Sequence, residues 1–237
     1  MADAMLAALD HLVVGGSPAV YETLLGRRAI DGHLRTENVG VRFEAESSGL
    51  RSMVFATSDI DKAATLLERR AVPATRTDGG LAFLGHSVAI GVVAKADEAP
   101  SLFTADAASA VSSLDHVVVR TPNPERAIAF YAGRLGLDLR LDRSNPKWGA
   151  RLLFFRCGDL VVEIAHDLKK GVSDEPDHLW GLSWRVPDIA AAHARLKAAG
   201  LDVSEPRDGR RPGSQICTVK NGTGGVPTIL IGGVGRW

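Results

Sequence analysis

A chain of 237 residues with 45% hydrophobic and 24% charged side chains has the make-up of a globular protein, with room for one large core or two small ones. Its 28 basic and 28 acidic residues cancel, which removes any long-range field for nucleic acid, a membrane surface or an acidic partner. No apolar run approaches the roughly 20 residues that span a bilayer, and the opening MADAMLAALDHL reads as a poor signal peptide.

In chain order, His11 to Val14 reads as a strand, Ala19 to Leu25 as a helix and Val39 to Ala45 as a strand with Glu44 near its end. Ser52 to Thr57 leads into a helix over Ile60 to Arg70, with Asp59 placed to cap it. Leu81 to Leu84 and Val88 to Val93 close this half, in which one central strand is expected to be shortened or lost. Lys95 to Ser113 is rich in Ala and Ser, lacks periodicity and reads as a linker.

The second half begins with a β-branched run, Leu114 to Arg120, broken at Thr121-Pro-Asn-Pro124. Apolar residues Ala127, Ile128, Phe130, Tyr131 and Leu135 fall at helical spacing, and Gly136 stops that helix. Three strands follow at Leu137 to Asp142, Ala150 to Cys157 and Leu160 to His166, the last two joined by a tight turn. Leu179 to Val186 is a further strand, and Asp188 caps a helix over Ile189 to Ala199. Val203 to Glu205, Gln215 to Lys220 and Pro227 to Ile231 complete the pattern. Cys157 and Cys217 are too few for a disulfide framework, so two reduced, buried thiols and a cytoplasmic location are expected.

The two halves repeat. Leu9-Asp10-His11-Leu-Val-Val recurs as Leu114-Asp115-His116-Val-Val-Val, each followed by a Tyr, a Leu-Gly and later an Asp-Ile before a helix. The division expected is residues 1–95 as a degenerate first module, 96–112 as linker and 113–237 as a more complete second module.

With these residues in view, the chain resembles the vicinal oxygen chelate superfamily, which includes glyoxalase I, bleomycin-resistance proteins and extradiol ring-cleaving dioxygenases. The resemblance rests on Leu114-Asp-His-Val-Val-Val, Ala129-Phe-Tyr131 through Leu137, Leu160-Val-Val-Glu163 and Ser183-Trp-Arg-Val-Pro-Asp-Ile189. It implies an α+β fold of tandem βαβββ units that form two open-cup, glyoxalase-like modules.

The resemblance also implies where a metal would be held. His116 matches the first ligand position and Glu163 the second, while the third falls on Gly181 and the fourth on Ile229 or Leu230, which cannot coordinate. In the first half His11 and Glu44 match, and the later positions read Ser52 and Ala89. Two ligands seldom hold a catalytic divalent ion. His178, three residues before Gly181, is the donor that could complete a set of His116, Glu163 and His178, whereas His166 has the wrong strand parity. The cofactor is therefore either a divalent ion (iron, zinc or manganese) or none. Without metal, His116 and Glu163 form an acid–base pair, or Glu163 pairs with Arg151 or Arg120.

Tyr131, Trp148, Trp180 and Trp184 are candidates to line an apolar pocket, with Trp180 and Trp184 on one strand face by simple alternation. Arg211 stands in a basic loop suited to clamping an anionic group. Gly222-Thr-Gly-Gly225 is not a phosphate loop, because no Gly-Lys-(Ser/Thr) follows. The expected function is action on a small oxygenated organic molecule by an isomerase, lyase or dioxygenase, in the cup of the second module. A metal-free protein that binds or sequesters a small molecule is the alternative. The expected partner is a small-molecule ligand, with no nucleic acid and no membrane; a homodimer is compatible with the sequence.

Overall fold

The computed structural model describes residues 5–96 and 98–233. The first half contains β1 (Ala8–Gly15), α1 (Pro18–Leu25), β2 (His33–Arg35), β3 (Gly40–Glu44), β4 (Leu50–Thr57), α2 (Ile60–Arg69), β5 (Thr75–Thr77), β6 (Gly80–Gly85) and β7 (Val88–Ala94). They form a seven-stranded sheet in the order β2-β3-β1-β4-β7-β6-β5.

The second half contains β8 (Ser113–Arg120), α3 (Pro124–Ile128), β9 (Asp138–Asn145), β10 (Ala150–Cys157), β11 (Leu160–Asp167) and β12 (His178–Arg185). It ends with α4 (Ile189–Ala198), β13 (Arg207–Asp208), β14 (Gln215–Val219) and β15 (Thr228–Gly232). Its eight-stranded sheet runs β13-β14-β15-β12-β8-β11-β10-β9.

Both sheets are assembled in the same way. Within each βα unit the last strand lies parallel to the first, as in β1 with β3 and β8 with β11. The two units of a sheet then join through antiparallel first strands, β1 with β4 and β8 with β12. The tandem cup architecture expected from the sequence is what the structure shows. The helices start where short polar side chains take up orphan backbone N–H groups: Ser17, Asp59, Asn123 and Asp188 each accept from the first turn.

One face of each sheet packs under the helices. In the second half Val117, Val119, Val162, Ile164, Leu182 and Trp184 are buried with Ala127, Tyr131 and Leu196 in a core continuous with that of the first half. The other face carries His116, Val118 and Glu163 into the hollow of the cup. Its rim is drawn together by cations on Trp148, which follows β9: Arg143 from β9 and Arg210 from the far edge of the sheet lie 4.9 and 4.4 Å from its ring. A sheet whose opposite edges meet on one indole has curled through most of a barrel.

The strand of the first half expected to be shortened or lost is present, shortened to three residues, as β2. Three local readings differ from expectation. Val203 makes only an isolated bridge to Val219. The helix expected to Leu135 turns π-helical over Ala129–Arg134. The segment between the sheets is tied down along its length: Ser101 N–H bonds Arg35 O, Thr104 N–H bonds Gly26 O and Val111 N–H bonds Leu25 O.

Candidate functional site

β8 places His116 on the concave face of the second cup, and its two ring nitrogens each meet a carboxylate. Nδ1–H donates to Asp115 Oδ2 at 2.8 Å, and Nε2 lies 3.5 Å from Glu163 Oε2. Neighbours in sequence normally point to opposite faces of a strand. Asp115 can reach its neighbour's ring because the pairing of β8 with β12 shifts register there, from Ser183 opposite His116 to Trp184 opposite Leu114. Glu163 arrives from β11, opposite Val118 and one pleat along from His116.

Asp115 is buried and held by Arg185, whose Nε donates to Oδ1 at 2.8 Å and whose Nη2 donates to Asp159 O at 2.8 Å. Arg211, from the loop after β13, brings Nη1 to 3.7 Å from the same Oδ1. Burial would drive the Asp115 carboxyl up, but His116 and Arg185 outweigh it and hold the group below its ordinary range. Burial likewise disfavours the imidazolium of His116, yet the charges of Glu163 and Asp115 prevail and its pKa is raised. The side chains of His116 and Glu163 keep 15% and 13% of their exposure, so solvent reaches them from the cup.

The other sequence candidates scatter. Tyr131 and Trp184 are wholly buried beneath the sheet, Tyr131 against Phe130 and Phe155 with ring centroids 5.2 and 5.6 Å away, so neither meets a ligand in the cup. Trp148 stands on the rim, 39% exposed. His178 is exposed opposite Arg120, four residues along β8 from His116 or about 13 Å at strand rise, too far to share an ion. Arg151 pairs with Asp142 and Glu125 at 2.7 and 2.6 Å, and Arg120 stacks on Trp180, so neither is the partner of Glu163. His166 is buried and donates to Thr121 O at 3.1 Å on the helix side. The turn at Gly222 to Gly225 serves packing: Gly224 O accepts from Gly49 N–H of the first half. Asp115 and Arg185 were the residues missed, although the Asp-His pair occurs in both copies of the repeat.

The family model described as the Glyoxalase/Bleomycin resistance protein/Dioxygenase superfamily matches residues 113–222. That half of the chain belongs to this superfamily. An ethylmalonyl-CoA/methylmalonyl-CoA epimerase of Cereibacter sphaeroides is 28% identical over 109 residues, covering 42% of this chain and 81% of the relative. Among solved structures, the halotolerant catechol dioxygenase BphC aligns over 99% of this chain and 89% of its own, with a TM-score of 0.72 at 14% identity. The Mn(II)-bound glyoxalase of Novosphingobium aromaticivorans aligns over 98% and 84%, with a TM-score of 0.71 at 15% identity. These two likenesses show that the fold runs through the whole chain.

The superfamily's metal chemistry can be tested against the residues present. Among the described residues no group of three or more His, Cys, Asp or Glu side chains could hold an ion. The third ligand position is blocked as well as blank: a Cβ on Gly181 would lie 2.7 Å from Pro227 O. The fourth, Ile229, is apolar and lies opposite Ser183. His116 and Glu163 alone do not fit a resident divalent ion, for which three protein ligands are usual.

The same fold repeats in the first cup, with one change of sign. Asp10 Oδ2 accepts from His11 Nδ1–H at 2.7 Å, as Asp115 does from His116. In the register of β1 with β3, however, the place of Glu163 falls on Arg42, opposite Val13, and Glu44 lies opposite Gly15. The expectation that Glu44 matches Glu163 is thus corrected: sequence spacing cannot fix the register of a parallel pair joined by a long connection.

Proposed function

We propose that the second cup moves a proton at a carbon beside a carbonyl, in a small oxygenated organic molecule, as an isomerase does. The observation that carries this reading is the row Asp115–His116–Glu163, in which one imidazole lies between two carboxylates. Glu163 takes the proton from the carbon. His116, whose pKa is raised by the charges of Glu163 and Asp115, turns Nε2–H to the carbonyl oxygen as it becomes an enolate. At 3.5 Å the Nε2–Glu163 contact is long for a hydrogen bond, so that N–H is available to a substrate oxygen. Glu163 then returns its proton to the opposite face of the enolate once this has turned in the cup, which inverts the carbon, and the atoms balance with no other reactant. The likeness of this half to an epimerase agrees with proton transfer at carbon.

Trp148, on the rim, would hold the apolar end of the ligand, and Arg211, whose Nη1 faces Asp115 while its side chain stays 37% exposed, the polar end. The test is exchange in D2O with a panel of hydroxyketones and acyl thioesters, read by NMR. Deuterium is expected at the α carbon of at least one compound, with a loss of about a hundredfold or more in Glu163→Gln. Saturable binding to the cup without exchange for any compound would overturn the proposal and leave a sequestering protein.

A further inference from the structure

We infer that the first cup is a second ligand site, and that it takes a small organic carboxylate. A cavity of about 260 Å³ opens there, lined by Asp10, His11, His33, Arg35, Gly40 and Arg42 among others. Two rows of the sheet make its floor: His11 opposite Gly40 opposite Arg35, and Val13 opposite Arg42 opposite His33. Residues directly opposite point to the same side, so these groups converge.

The hollow has a local cause. Gly40 stands where the second cup has Val161, each directly opposite the repeated histidine. A Cβ on Gly40 would lie 3.1 Å from His11 Cβ and 3.4 Å from Arg35 Nη1, so the glycine lets imidazole and guanidinium line one space. The volume falls below the roughly 300 Å³ at which sites for drug-sized ligands begin, which selects a ligand of few atoms.

The charges select its class. His11 Nδ1–H is bound to Asp10, and Arg35 Nη1 reaches Glu98 at 3.3 Å and Asp10 O at 3.4 Å. Arg42 makes no hydrogen bond or ion pair with the described residues, and it is near enough to help hold the Asp10 carboxyl in its charged form. A guanidinium with its fork open over a cavity recognises a carboxylate in bidentate fashion. His11 Nε2, also without a described partner, supplies a further polar contact. The lining holds Asp10, Asp31 and Glu98 beside Arg35 and Arg42. Asp10 is bound to His11 and Glu98 to Arg35, so the anion is drawn by Arg42, which stands where the second cup has the Glu163 carboxylate.

The test follows the His11 ring by NMR in the full chain, assigned through His11→Gln, while propionate or malonate is added. A saturable shift with Kd at or below about 10 mM is expected, with none from propionamide. Arg42→Gln, an exposed substitution, should weaken binding at least tenfold with Tm unchanged. Equal responses to propionamide or to inorganic phosphate, or an affinity unchanged in Arg42→Gln, would overturn the inference, as would no shift of His11 with either acid.

Discussion

The charge on His116 decides whether the second cup can act as an acid. With the folded-state pKa raised above 6.5, the imidazolium adds stability that is full below pH 6.5 and is lost as the pH climbs through the folded value. Asp115 works in the opposite direction: its pKa is lowered from 3.8, so its contribution is present above pH 3.8 and fades as the pH falls through its folded value. The mid-range between these two losses is where the charged row is complete. An NMR titration of the His116 ring should therefore give a midpoint above 6.5 in the wild type. Replacing Glu163 by Gln removes one of the two raising charges and should move that midpoint down. A midpoint indifferent to the substitution would show that Glu163 does not act on the ring. The thiols belong at this scale too. Burial pushes Cys157 up to about 12, with Asp159 adding to it, and Cys217 up to about 11, offset in part by a bond to the Leu230 backbone. Both should resist alkylation at pH 8 until the chain unfolds, as mass spectrometry would report.

At the level of elements, the bulge in β12 determines which chemistry the second cup can hold. The pairing with β8 slips between Leu179 and Gly181, and this brings Gly181 against Pro227 of the chain entering β15. Gly181→Ala should cost about 1–3 kcal/mol in urea denaturation, because backbone and not a flexible side chain must give way. Gly181→His should cost at least as much and should bind Mn(II) no better than the wild type by calorimetry; tight binding would mean that β15 yields more than the contact implies. The same bulge shows where sequence reading stops. Regular alternation made β10 legible from Ala150 to Cys157, and the capped helices were legible from Asp59 and Asp188. Simple alternation put Trp180 and Trp184 on one face, but the shift sends Trp184 into the core and leaves Trp180 under Arg120. The short strands β2, β5 and β13 carry no apolar pattern and exist only through their partners. His116 and Glu163 were legible because each lies in a well-formed strand. Arg42 was not, since its place opposite Val13 depends on a pairing that no local signal encodes.

Across the whole molecule, polar side chains join the two halves by bonding backbone groups. Arg27 ties the segment between the sheets to the first half, donating to Val111 O and Ser101 O, each at 2.8 Å, and Arg195 of the second half donates to Thr23 O at 2.6 Å and Leu24 O at 2.9 Å. Asn38, between β2 and β3, is the most consequential of these. Its Nδ2 donates to Leu114 O at 2.9 Å and Asp159 Oδ1 at 3.0 Å, and its Oδ1 accepts from Leu114 N–H at 2.8 Å. Leu114 is the second residue of the strand that carries His116, and Asp159 O accepts from the Arg185 that holds Asp115, so the first half braces the second cup through one amide. Asn38→Ala leaves the Leu114 N–H and C=O without those partners, at a cost of about 2–4 kcal/mol. All four tryptophans, at 148, 180, 184 and 237, lie in the second half, so their fluorescence reports on that half while far-UV circular dichroism reports on both. The continuous core predicts one urea transition for the wild type, with the two signals coincident. In Asn38→Ala the transition should shift to lower urea, and the signals should separate as the halves uncouple. Coincident and unshifted curves in the variant would show that the apolar contact alone joins them.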